Sequence, residues 1–163
     1  MCKWVRLSGK QYLGFWVLGL VLFALRELPY LVMPFVRLEK NPIMQMPESS
    51  LFLERCEKVL GSLCIALMVF VVHKNAALFS LRTGREQLFF GLAMGALLLN
   101  FFGWALYFTG HQSLPVMMLF IVALPPLFYV LVGLWRNNIP LVCTGSIFLA
   151  VHFIHVLGNL KMG

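Results

Sequence analysis

The chain contains no aspartate, and all six of its acidic residues are Glu. That absence removes aspartyl-phosphate chemistry, a Ser-His-Asp triad and a paired-Asp protease. Charge of either sign is scarce: 12% of residues are charged, against about 25% in a soluble domain. Cysteine is present only as Cys2, Cys56, Cys64 and Cys143, with no C-x-x-C pair. Cys56 and Cys64 fall on one expected helix, ~12 Å apart along its axis, too far for a disulfide. A disulfide-forming membrane oxidoreductase is therefore disfavoured. The zinc-binding spacing H-E-x-x-H is also missing, as are internal repeats and low-complexity stretches.

Apolar residues are what the chain has in abundance. They make up 61% of 163 residues, and the mean hydropathy is +0.88. So short a chain cannot hide that much apolar surface from water. Several runs approach or exceed the ~18 residues that span a bilayer as helix. The expectation is an all-α, polytopic integral membrane protein forming a single domain over residues 1–163. A soluble enzyme, a nucleic-acid-binding domain and a secreted disulfide scaffold are excluded.

Five apolar segments are expected as helices: Tyr12 to Val36, Leu51 to Val72, Leu88 to Phe108, Leu114 to Trp135 and Ile139 to Leu160. The first resembles a signal peptide, with Lys3, Arg6 and Lys10 before it. Arg26 and Glu27 interrupt the run and no small-x-small cleavage site follows, so it reads as an uncleaved membrane helix. Two connections, Thr109–Ser113 and Arg136–Asn138, are tight turns that make the last three helices antiparallel neighbours. Ser50 suits a helix cap. Residues Asn75–Arg85 suit either a short interfacial amphipathic piece or a polar loop.

The fourth helix carries Pro125 and Pro126 near its centre. Neither has an amide N–H, so the carbonyls of Ile121 and Val122 lose their helical partners and the helix is expected to break there. Gly91 and Gly95 form a small-xxx-small step. Packing inside one monomer is the favoured use of it, with dimerisation the alternative. Trp4 and Trp135 suit interfacial anchors.

The chain carries 13 Lys and Arg and a formal charge of +7. In a membrane protein this implies orientation and contact with anionic head groups. Lys3, Arg6, Lys10, Lys74, Arg82, Arg85 and Arg136 fall on the amino-terminal side. Arg37, Lys40, Arg55, Lys58 and Lys161 fall on the other, among Glu39, Glu48, Glu54 and Glu57. The bias points to a bacterial cytoplasmic membrane with a cytoplasmic amino terminus.

Ionisable groups inside a span are costly and are candidates for function. Arg26 and Glu27 lie in the second half of the first helix, with Tyr30 one turn on. Being adjacent, they head about 100° apart on the helix and are not expected to pair face to face. Gly145, Phe148, His152, His155 and Asn159 form one stripe on the last helix, and Asn100 lies on the third. Counted along their helices, Arg26, Glu27, Asn100 and His152 reach one depth within about a turn. Helix two enters from that same side and brings Glu54, Glu57 and Lys58 near the mouth of that region. The expectation is a polar pocket built from Arg26, Glu27, Tyr30, Glu57, Asn100, His152, His155 and Asn159. Each member has a plain alternative: a structural ion pair, an interhelical hydrogen bond or a solvated helix start.

Three functions fit such a pocket. One is a carrier or binder of a proton, a metal ion or a small amphiphile, with His152 and His155 as the metal ligands beside Glu27 and Glu57. Another is a membrane enzyme acting on a lipid or isoprenoid with Glu27, His152 and His155 as acid and base. The third is an accessory subunit whose polar residues meet a partner helix. Membrane lipid, a second copy or a partner membrane subunit are the expected partners. A haem would need axial His on facing helices, which His73 and His111 do not offer. Ser146 lies ~9 Å along the axis from His152 and cannot meet it as a nucleophile meets its base.

Overall fold

The computed structural model describes residues 2–162 except 39, 48, 49 and 76, with the backbone alone at 2, 3 and 162. The chain is mostly helical, and four helices are long and apolar enough to cross a membrane. A small antiparallel sheet, unexpected from the sequence, closes one end. Strand β1 (Cys2–Ser8) turns into β2 (Gln11–Phe15), and β2 pairs in turn with β3 (Val71–His73), giving the order β1-β2-β3. The turn between β1 and β2 holds Gly9 at φ +53°, a left-handed conformation that glycine takes without steric cost. The Arg6 Nε–H donates to the Gly9 carbonyl at 2.9 Å and closes the turn. So the first helix does not begin at Tyr12. Residues Tyr12–Phe15 are strand, and helix α1 (Val17–Val32) starts after Trp16, ending in a 3-10 turn at Met33–Phe35.

Helix α2 (Leu51–Phe70) begins at Ser50, whose Oγ accepts from the Leu53 N–H as expected of a cap. It runs back toward the sheet and leads directly into β3. It is not among the four long apolar helices, because Glu54, Arg55, Glu57 and Lys58 crowd its first turns. Helix α3 (Gly84–Phe108) is capped by Thr83, whose side chain accepts from the Glu86 N–H. Residues 74–83 between β3 and α3 are irregular where described, which decides for a loop over an amphipathic helix.

Helix α4 (Leu114–Arg136) is helical throughout but changes register. Met117–Ala123 is wound as π-helix, and ordinary α-helix resumes at Leu124, with Pro125 and Pro126 in its first turn. The prolines thus follow a widened turn, where their missing N–H groups cost least. Asn137 then takes a left-handed φ of 53° and ends the helix. Helix α5 (Ile139–Met162) returns antiparallel. Gly133 and Gly145 let α4 and α5 approach closely: a Cβ at Gly133 would lie 2.8 Å from Val142, and one at Gly145 would lie 3.0 Å from Val130. Gly103 does the same for α3 and the π segment, with 2.2 Å left to the Phe120 Cβ. Gly91 and Gly95 meet no atom within 4 Å, so the small-residue step of α3 faces outward and is not used for packing inside the monomer.

The sheet end is tied by polar side chains to backbone carbonyls. Asn138 is 2% exposed. Its amide donates to the carbonyls of Leu67 at 2.8 Å and Val71 at 2.9 Å, and its Oδ1 accepts from the Leu141 N–H. One side chain therefore joins the end of α2, β3 and the start of α5. Trp16 and Trp135 donate to the carbonyls of Leu78 and Ser80, pinning the loop. Trp135 is buried rather than an interfacial anchor, packed edge-on against Trp16 and Phe79. Arg136 lies between the two indoles, its guanidinium 4.6 Å from the Trp16 ring and 5.4 Å from that of Trp135.

Replacing Asn138 by Leu strips partners from buried backbone groups, each worth about 1–3 kcal/mol. Asn138→Leu is expected to lower the thermal midpoint in detergent by the equivalent of at least about 2 kcal/mol. Gly91→Ala, placed in open space, is expected to stay within about 0.5 kcal/mol of the parent. Equal midpoints for Asn138→Leu and the parent would refute the assignment.

Candidate functional site

Helices α1, α2, α4 and α5 bring a set of polar side chains together in the half of the bundle remote from the sheet. Glu57 precedes β3 by fourteen residues and His152 follows the start of α5 by thirteen, so both stand ~20 Å from the sheet end. Arg26 and Tyr30 reach the same half from α1.

The centre of the set is a carboxylate held by two imidazoles. His155 Nδ1 lies 2.6 Å from Glu57 Oε2, and His152 Nδ1 lies 3.1 Å from Glu57 Oε1. On the far side of His155, the Asn159 Nδ2 donates to Nε2 at 3.2 Å. An amide nitrogen only donates, so Nε2 is the acceptor and the ring proton sits on Nδ1, pointing at Glu57. His155 and Asn159 are buried, at 5% and 4% exposure. His152 differs. Its Nδ1 is close enough to Glu57 for ion pairing but off the line of a hydrogen bond, and remains a buried nitrogen without a hydrogen-bond partner. The ring of Phe148 packs at 5.3 Å from that of His152. The stripe Gly145, Phe148, His152, His155, Asn159 thus faces the protein interior as its spacing implies.

Arg26 and Glu27 pair directly, the Arg26 Nη2 donating to Glu27 Oε1. This corrects the expectation from helical headings. The guanidinium is long enough to swing round to its neighbour, which the angle between Cβ directions does not capture. The same guanidinium lies 5.0 Å over the ring of Tyr129, a residue that sequence reasoning did not select. Tyr129 is fully buried, and its hydroxyl has no hydrogen-bond partner. A single tyrosine in an apolar helix gives no sequence signal; only the packing of α4 against α1 singles it out. Tyr30 lies within electrostatic reach of Arg26, Glu27 and Glu57 and stacks edge-on against Trp104 at 4.9 Å.

Asn100 does not join them. Its amide donates to the Phe120 carbonyl at 2.8 Å. In an α-helix that carbonyl accepts from residue 124 and in a π-helix from residue 125, which is Pro125 and has no N–H. Asn100 therefore serves the irregular turn of α4, the interhelical role named as its plain alternative.

The metal reading meets a geometric obstacle. Among the described residues no group of three or more His, Cys, Asp or Glu is arranged to hold a metal ion. His155 Nδ1 aims at the carboxylate itself, and the second nitrogen of His155 is taken by Asn159. These contacts occupy both nitrogens of His155.

Asn159 also lines a groove of about 440 Å³ at the end remote from the sheet, with Lys40, Gln45, Met46, Met117 and Leu160. One residue thus touches both the groove and His155. No protein-family model matches the chain, and no curated protein or solved structure matches it at significance.

An ion pair of this kind is revealed by breaking it. Glu27→Gln leaves the guanidinium without its counter-charge and is expected to cost about 3 kcal/mol, whereas Arg26→Met with Glu27→Leu removes both charges and is expected to cost less. Thermal unfolding in detergent measures both. A double variant less stable than the single one would show that the pair is not what holds α1 here.

Proposed function

We propose that this chain is a small multi-pass membrane carrier or binder whose interior cluster of Glu57, His152 and His155 takes up and releases a proton. The observation that carries the reading is the carboxylate of Glu57 set between two Nδ1 atoms, one hydrogen-bonded and the other, on His152, buried without a hydrogen-bond partner. With both imidazoles neutral the trio carries one negative charge. One added proton brings it to zero, the state a low-dielectric interior tolerates best. Imidazole is the side chain suited to such exchange near neutral pH. The remaining candidates, Arg26, Glu27 and Tyr30, set the field around the trio.

On this reading α2 crosses the membrane as a fifth span. Its 20 residues measure ~30 Å as helix, and the charges of its first turns lie toward the head groups and the Glu57 cluster. The chain then forms one domain in a bacterial cytoplasmic membrane with its amino terminus on the cytoplasmic side, and the π segment before the prolines of α4 is where that span departs from regular helix. A small amphiphile in the groove beside Asn159 is the ligand form of the same reading. A second reading, an accessory subunit or self-associating chain, is favoured by the open Gly91 and Gly95 face.

Infrared difference spectroscopy on the chain in lipid vesicles, stepped between about pH 8 and about pH 5, tests the first reading. The parent is expected to show an imidazole band that grows as the pH falls. His152→Gln and Glu57→Gln are expected to reduce or shift it, and Arg37→Gln, outside the cluster, to leave it alone. Spectra unchanged by both cluster variants would remove the proton-binding reading.

A further inference from the structure

The opposite end of the molecule has its own chemistry. Strand β1 is the edge of the sheet and pairs only with β2, so its outer rim presents backbone N–H and C=O groups without a strand partner. Such a rim cannot lie in hydrocarbon. Yet α1 leaves the sheet after Trp16, and α3 and α5 begin close by, for Arg85 and Gln11 both bond Asn137 at the turn between α4 and α5. Three long apolar helices therefore start at the level of the sheet, and the hairpin is held at the boundary where hydrocarbon gives way to head groups.

Its side chains suit that boundary. Trp4, Val5 and Leu7 are 59%, 59% and 52% exposed, a concentration of apolar surface on one short strand that water disfavours. Around them Arg6, Lys10, Arg82 and Arg85 are all exposed. Among the described residues the only carboxylate at this end is Glu86, and it is already engaged: it accepts from the Ser80 hydroxyl and the Arg82 N–H, both at 2.8 Å. The cations are thus not balanced by acids of the chain itself. Indole and aliphatic side chains beside a ring of uncompensated cations form the pattern that anionic lipid surfaces complement.

We infer that the β1–β2 hairpin is an anionic-lipid docking element. It lies in the head-group layer with Trp4, Val5 and Leu7 at the acyl boundary, and the surrounding cations gather phospholipid phosphates. The inference does not depend on the proton cluster, which lies ~20 Å away along the helices.

The test uses the full chain in nanodiscs of mixed phosphatidylglycerol and phosphatidylcholine. Lipid retained after gentle release is weighed by native mass spectrometry. The parent is expected to retain phosphatidylglycerol over phosphatidylcholine by about threefold or more. Arg6→Gln with Lys10→Gln, Arg82→Gln and Arg85→Gln is expected to bring the ratio to that of the bulk membrane. Arg37→Gln with Lys40→Gln, at the other end, is expected to leave it unchanged. A parent without preference, or a preference lost only with Arg37 and Lys40, overturns the inference. An independent measurement needs no change in charge. Quenching of tryptophan emission by lipids brominated near the head group is expected in the parent and diminished in Trp4→Phe. Equal quenching in the two would place Trp4 away from the lipid and overturn the inference as well.

Discussion

A polar group inside hydrocarbon must find its partner within the protein, and this constraint shapes the molecule at each place where a regular helix gives out. Two asparagines meet it. Helix α2 ends by turning into β3, and the carbonyls of Leu67 and Val71 are both met by Asn138. Helix α4 passes through a π segment into a pair of prolines, and the Phe120 carbonyl is met by Asn100. Asn suits the task because its amide supplies two donors and an acceptor on a short side chain without carrying charge. Around Asn138 the indole N–H groups of Trp16 and Trp135 and the guanidinium of Arg136 do the same for the loop before α3. The irregular parts of the fold are thus tied to the regular ones by side-chain donors directed at backbone carbonyls.

That pattern explains which features were legible in the sequence. Four helices were readable because hydropathy over twenty or so residues needs no tertiary information. The sheet was not, since Tyr12, Leu13 and Phe15 continue the apolar run of α1, and it is pairing with Cys2–Ser8 on one side and, for Tyr12 and Leu13, with Val71–His73, sixty residues on, that makes them strand. Long-range pairing overrides local apolarity. The stripe on α5 was legible from spacing alone, and Glu57 was placed near the mouth of the pocket by the side from which helix two enters. Depth could not separate Asn100 from them. An asparagine at the right height serves a backbone carbonyl as readily as a ligand, and the deciding fact was the position of the π segment. Nor could helical headings foresee the Arg26–Glu27 contact, because the reach of a guanidinium exceeds the spacing of adjacent residues.

The two ends of the molecule divide its polar chemistry. At the sheet end the exposed cations Arg6, Lys10 and Lys74 surround β-structure that needs water or head groups. In the other half, beneath the exposed cations of its own end, ionisable groups also lie inside the bundle in contact with one another, Arg26 with Glu27 and Glu57 with the histidines. Tyr129 lies beneath the Arg26 guanidinium, offering a polarizable ring instead of further charge. Compensation by neighbours lets an apolar bundle keep ionisable groups at depth.

The scaffold around the Glu57 cluster is anchored on both sides. The sheet and Asn138 hold the helices at one end. At the other, the Tyr107 hydroxyl donates to Asn41 Oδ1 and accepts from the Ile43 N–H, fixing the segment between α1 and α2. A change of protonation at Glu57 therefore has little backbone freedom to act on. His155 is held from both sides, by Glu57 and by Asn159. His152 has its nitrogen at 3.1 Å and out of line, so a rotation of that one ring is enough to complete or release a hydrogen bond. On the proton-binding reading the mobile part is thus a single imidazole torsion within a fixed frame. Such a device responds by redistributing a proton between two rings, with no rearrangement of helices.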